Sequence, residues 1–137
     1  MDQAARIRAS FDLVAPRADA VVEAFYANLF AAAPAARALF PADMAAQRQH
    51  LAAALALVVK HADRLETLAP ALREMGVRHI RYGATPAHYG VVRDVLIATL
   101  AQHAGAAWNE QLASDWTAAL NAVAGIMLDG ARAAEAA

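Results

Sequence analysis

The chain has 137 residues, one domain's worth of sequence and enough to bury about two thirds of the surface its unfolded form would expose. Hydrophobic residues make up 60% of it and charged residues 18%, a balance that excludes intrinsic disorder because the apolar surface available for burial offsets the entropy of ordering. There is no cysteine, and 12 Lys and Arg are matched by 13 Asp and Glu; disulfides, zinc-thiolate sites, iron-sulfur clusters and thiol catalysis are excluded, and so is the charge footprint of a nucleic-acid or anionic-membrane binder.

In chain order, the apolar residues keep helical spacing throughout, and no alternating strand pattern or Asn-Gly or Asp-Gly hairpin signal interrupts them. The expectation is therefore an all-α fold forming a single domain over residues 1–137. Ile7, Phe11 and Val14 mark a first helix, which Pro16 separates from a second because proline lacks a backbone donor and disfavours helix just before it. Val22, Phe25, Tyr26, Leu29 and Phe30 form the stripe of that second helix, which ends before Pro34. A short helix is expected from Pro34 to Phe40. Asp43 stands where a cap is expected for a long helix bearing Met44, Gln47, Leu51, Leu55 and Val58 on one face. Leu68, Leu72, Met75 and His79 repeat the spacing in a segment that ends near Gly83, a residue suited to the left-handed turn after a helix. Thr85-Pro86 reads as a cap followed by proline at the first helical position. The helix it opens carries Tyr89, Val92, Val95, Leu96 and Leu100 and breaks at Gly105. A last helix carries Leu112, Trp116, Leu120, Val123 and Met127.

No run approaches the roughly 20 apolar residues that cross a bilayer, and the N-terminus MDQAARIRAS bears charges where a secretory signal has its apolar run. A cytoplasmic location is expected. With thiolates absent, a transition metal must be held by nitrogen or oxygen, and the five histidines are the candidate ligands. His50, His61, His88 and His103 read as surface imidazoles beside polar neighbours. His79 lies on the apolar face set by Leu72 and Met75, where an imidazole must find a partner or stay neutral at a desolvation cost. That position fits either a hydrogen-bonded core histidine or a ligand. No His-Glu-x-x-His pair, nucleophile-elbow turn or phosphate-cradling glycine loop is present, so hydrolase and nucleotide-binding readings lack support.

The ordered set Phe25-Tyr26-x-x-Leu29-Phe30, Leu39-Phe40, Gln47 with Leu51, His79 and Ala87-His88-Tyr89 resembles bacterial single-domain globins, similar to the haem domain of flavohaemoglobins. The resemblance spans nearly the whole chain and includes the 32 residues separating Gln47 from His79. It implies a globin fold of about seven or eight helices enclosing haem b, with His79 as the proximal iron ligand. Phe40 would stack on the macrocycle, and Tyr26 and Gln47 would reach the distal pocket and stabilise bound oxygen. Leu51 and Leu55 would keep that pocket dry, while Met75, Val92 and Leu96 would complete its lining. His50, Arg78 and Arg81 are candidates for pairing with the haem propionates, or else form a solvated basic edge. Tyr89 would join the hydrogen-bond network of the proximal histidine. The glutamate expected in that network falls on Ala131; Asp129 points to another face, and Glu135 lies in the final residues.

The resemblance implies reversible binding of oxygen and other diatomic gases, nitric oxide and carbon monoxide among them, for storage or delivery. Nitric oxide dioxygenation is a linked activity that would draw electrons from a separate reductase. Neither nucleic acid nor membrane is an expected partner, and the chain would act as a monomer or homodimer. Two other classes fit less of the pattern: a haem-based gas sensor, and a helical interaction module with no cofactor.

Overall fold

The computed structural model describes residues 1–136. Among them are six α-helices joined by turns, four of which wind as short 3-10 segments; the short helix expected from Pro34 to Phe40 is one of these segments, so fewer α-helices form than the seven or eight expected. None of the helices is long and apolar enough to cross a membrane.

Local chemistry sets most boundaries. Helix α1, Gln3–Val14, starts where Asp2 accepts a hydrogen bond from the Ala5 amide at 2.8 Å. A 3-10 turn holding Pro16, Ala15–Arg17, divides it from α2, Ala18–Ala32. A second 3-10 segment, Pro34–Leu39, runs to Phe40, whose extended backbone turns the chain toward α3, Ala45–Lys60. Asp43 sits one residue before the formal cap position, Met44, and accepts from the Ala45 amide at 2.9 Å. Helix α4, Ala69–Arg81, ends just before Gly83, whose φ of 92° is accessible to glycine at little cost. Helix α5, Pro86–Ala104, opens at Thr85, whose backbone amide donates to Nδ1 of His88 at 2.9 Å. His88 thus has a capping role that its reading as a surface imidazole did not include. Gly105, at φ 58°, ends α5, and α6 runs from Glu110 to Ala136.

Two apolar clusters divide the interior. The larger joins α1, α2, α3, α5 and Trp116 of α6 through Ile7, Val22, Phe25, Tyr26, Leu29, Leu55, Leu96 and Leu100. Each large side chain fully buried there contributes about 1.5–3 kcal/mol relative to exposure. The smaller joins Leu68 and Leu72 to Met127, with Met75, Tyr89 and Val123 packed against it. Helix α5 touches both, through Val92 in the larger and Tyr89 in the smaller.

The α4–α6 crossing depends on two glycines. A β-carbon on Gly76 would run into the carbonyl group of Met127, and one on Gly130 would run into the backbone of Arg73. The two helices therefore meet backbone to backbone, which fixes the height and rotation of the α4 face that carries His79. At the opposite end of α6, Trp116 is 1% exposed and donates its indole N–H to Ser10 at 3.0 Å. Beside it, Asp115 is 3% exposed and takes two bonds from the Arg6 guanidinium, at 2.6 and 3.0 Å, and a third from Gln111 at 3.0 Å.

Candidate functional site

Tyr26 and Gln47 come from different helices and meet. Gln47 donates from Nε2 to the Tyr26 hydroxyl oxygen at 3.1 Å. Its donation leaves the phenolic proton of Tyr26 available to another acceptor. Around Tyr26 the rings of Phe25, Phe30 and Phe40 stand at centroid distances of 5.0, 6.0 and 5.6 Å. Burial pushes the Tyr26 hydroxyl above the usual phenol pKa, against the opposing pull of the Gln47 bond. Tyr26 is therefore a neutral donor held in an apolar aromatic nest.

Phe40 owes its place to a residue that the sequence did not single out. The Arg37 guanidinium donates to the carbonyls of Phe40, Pro41 and Ala42 at 3.3, 3.0 and 3.2 Å and lies 5.3 Å from the centre of the Phe30 ring. It ties off the carbonyls of the turn that follows the 3-10 segment and sets the approach to α3, which carries Gln47. The only local signal is an arginine three residues before a Phe-Pro pair.

His79 is half-buried on α4, the helix that crosses α6, and Tyr89 of α5 stands beside its ring. Its Nδ1 donates to the Met75 carbonyl at 2.7 Å, which fixes the tautomer and leaves Nε2 with a free lone pair. Tyr82 and Tyr89 flank the ring at centroid distances of 6.0 and 6.3 Å. Burial raises the Tyr89 hydroxyl above its ordinary pKa, so it too stays a phenol. His61 and His103 make the same bond to the carbonyl four residues back, at 3.0 and 2.9 Å. The hydrogen bond alone therefore does not distinguish His79; its apolar neighbours do. His50 is exposed.

The other candidates fall into two groups. Phe40, Leu51, Met75 and Val92 are half-buried; the first two and Val92 pack against the larger cluster, in which Leu55 and Leu96 are buried, and Met75 packs against the smaller. Arg78 and Arg81 are exposed, and Arg78 donates to Glu74 at 3.3 Å. Ala131 is buried, while Asp129 is exposed beside Arg132 and Glu135 is exposed near the helix end. Among the described residues the hydrogen-bond acceptor at the His79 ring is a peptide carbonyl, with no carboxylate.

A haem needs an axial nitrogen with a free lone pair and apolar side chains left uncovered for the macrocycle. The residues present fit: Nε2 of His79 supplies the first, and half-covered Phe40, Leu51, Met75 and Val92, from both clusters, supply the second. No group of three or more His, Asp or Glu among the described residues could hold a bare metal ion instead.

The family model for globins matches residues 23–127. The flavohemoprotein of Bordetella parapertussis is 28% identical over 136 residues, which cover 97% of this chain and 34% of that protein. That of Vibrio cholerae is 29% identical over 128 residues, covering 90% and 32%. The chain thus spans about a third of the length of the curated relatives it matches. Among solved structures, an engineered carbene transferase from Rhodothermus marinus is 26% identical with a TM-score of 0.87, over 99% of this chain and 96% of that one. A bacterial globin from Campylobacter jejuni shares the fold, with a TM-score of 0.86 at 18% identity and 98% of each chain covered.

Proposed function

The chain is a haem-binding member of the globin family, and we propose that it holds haem b through Nε2 of His79 and binds oxygen reversibly under Tyr26 and Gln47. The haem would supply a ferrous iron able to bind diatomic gases, including nitric oxide and carbon monoxide. Everything else falls to the chain. His79 donates from Nδ1 to the Met75 carbonyl at 2.7 Å, which orients the imidazole. Phe40, Leu51 and Val92, with Leu55 and Leu96 of the same cluster, and Met75 of the other cluster exclude water. A diatomic ligand bearing partial negative charge there would accept the Tyr26 hydroxyl proton, and a hydrogen bond to a charged acceptor contributes about 1.5–3 kcal/mol.

One observation carries this reading: the Tyr26–Gln47 hydrogen bond, at 3.1 Å, places a neutral phenol and an amide together in otherwise aromatic surroundings. The Tyr26 proton is free to be donated, and Gln47 keeps the phenol in place. Nitric oxide dioxygenation would be a linked activity of the same site, with the haem supplying the redox chemistry and a separate reductase the electrons.

Oxygen titration of the reduced protein tests the reading. A stable oxygenated spectrum that reverts under vacuum supports it. A reduced protein that binds carbon monoxide but forms no reversible oxygen complex overturns it. Mixing the oxygenated protein with nitric oxide should yield nitrate stoichiometrically.

A further inference from the structure

The chain has three tyrosines, and two of them flank the same imidazole. Tyr89 is half-buried on one side of His79; Tyr82, next after α4, is 60% exposed and presents its ring at 60° to the imidazole with centroids 6.0 Å apart. Three rings therefore form an aromatic chain from the interior, through His79, to solvent. Electron tunnelling falls off exponentially with distance, so adjacent rings are the preferred route for a charge leaving this region.

We propose that Tyr82 is an oxidation site, the exit through which oxidising equivalents delivered by a hydroperoxide leave the proximal side. The proposal rests on the reading of His79 as the iron ligand. Hydrogen peroxide accepts two electrons and two protons and becomes two molecules of water. Each tyrosine gives up one electron and its hydroxyl proton, leaving a neutral phenoxyl radical. Two such radicals on separate molecules join through a carbon–carbon bond and recover their phenols, so one peroxide and two tyrosines give two waters and one dityrosine.

Trp116 and Tyr26 are poorer candidates for this role. No cysteine is present to take up the oxidising equivalents. Trp116 is 1% exposed and its indole proton is committed to Ser10, so the proton has no route to water. Tyr26 is 6% exposed and enclosed by phenylalanine rings. At Tyr82 the departing proton passes directly to solvent, and only there can a tyrosyl radical meet its like on another molecule.

The test treats the haem-loaded protein with hydrogen peroxide in the presence of a nitroso spin trap. Dityrosine fluorescence, denaturant-stable dimer and the residue carrying the trap adduct are then read. The parent should give a dimer and an adduct on Tyr82. Tyr82→Phe should lose both while keeping its visible spectrum, and its haem should bleach faster. Apoprotein treated in the same way should stay unmodified. An undiminished dimer from Tyr82→Phe, an adduct mapped to another residue in the parent, or equal labelling of apoprotein overturns the proposal. A preparation that takes up no haem overturns the reading of His79 and this proposal together, whereas a red protein with Tyr82 unmodified overturns this proposal alone.

Discussion

Gly76 of α4 faces Met127 of α6 so closely that a β-carbon would collide with the Met127 carbonyl group. Backbone cannot move aside as a side chain can, so Gly76→Ala should cost at least the typical overpacking penalty of about 1–3 kcal/mol. It should also disturb His79, one turn further along α4. Urea unfolding measures the first effect. A variant as stable as the parent would show that the crossing is looser than described.

Removing the Tyr26 hydroxyl tests the distal pair. Tyr26→Phe should lose about 1.5–3 kcal/mol of stabilisation of bound oxygen, roughly a 10- to 100-fold faster oxygen dissociation if the effect falls on release. Carbon monoxide dissociation should change much less, because that ligand gains little negative charge. Stopped-flow dissociation that matched the parent within a factor of about two would falsify the assignment.

The Arg6–Asp115 pair gives a pH dependence. The Arg6 hydrogen bonds hold the Asp115 carboxyl below its ordinary pKa, against a smaller opposing effect of desolvation. A group depressed on folding contributes stability that is fully present above its unfolded pKa, about 3.9 for aspartate, and that is lost as pH falls through the folded value. Thermal unfolding between neutral pH and strongly acidic pH should therefore show a decline below about pH 4 that is smaller in Asp115→Asn, which is itself less stable than the parent at neutral pH. Parallel pH profiles for the two proteins would show that the pair is not coupled to folding.

The carbonyl acceptor at His79 sets the electronic character of the proximal ligand. A peptide carbonyl polarises an imidazole less than a carboxylate does, so the ring should stay neutral and give less electron density to the iron. Resonance Raman of the deoxy ferrous protein should place the iron–histidine stretch in the neutral-imidazole range, unchanged in Glu135→Ala. An imidazolate-like frequency that drops in Glu135→Ala would show that a carboxylate reaches the ring.

Much of the fold was legible because its signals are local. Pro16, Thr85-Pro86, Gly83 and Gly105 punctuate helices through their own backbone constraints, and the apolar stripes name the buried faces without reference to any neighbour. Partnerships across the chain were not legible. Arg6 and Asp115 lie 109 residues apart, and nothing in either segment names the other. Gly76 and Gly130 carried no signal of their own, because their role exists only where the facing backbone approaches. For the site, residue order brought Tyr26, Gln47 and His79 forward, but their contacts depend on tertiary placement. Arg37 offered too little signal, since its three carbonyl partners exist only once the turn to Phe40 has formed. His88 read as a surface imidazole because a histidine in the third position of a helix is an uncommon capping partner.

The most direct test of the central claim is the haem content and deoxy ferrous spectrum of His79→Ala beside the parent, with His50→Ala and His88→Ala as controls. The parent and controls should carry haem with a five-coordinate, nitrogen-ligated ferrous spectrum. His79→Ala should retain haem poorly and regain that spectrum only when imidazole is added. A His79→Ala protein that keeps its haem and an unchanged ferrous spectrum would contradict the assignment of His79 as the ligand and the account built on it.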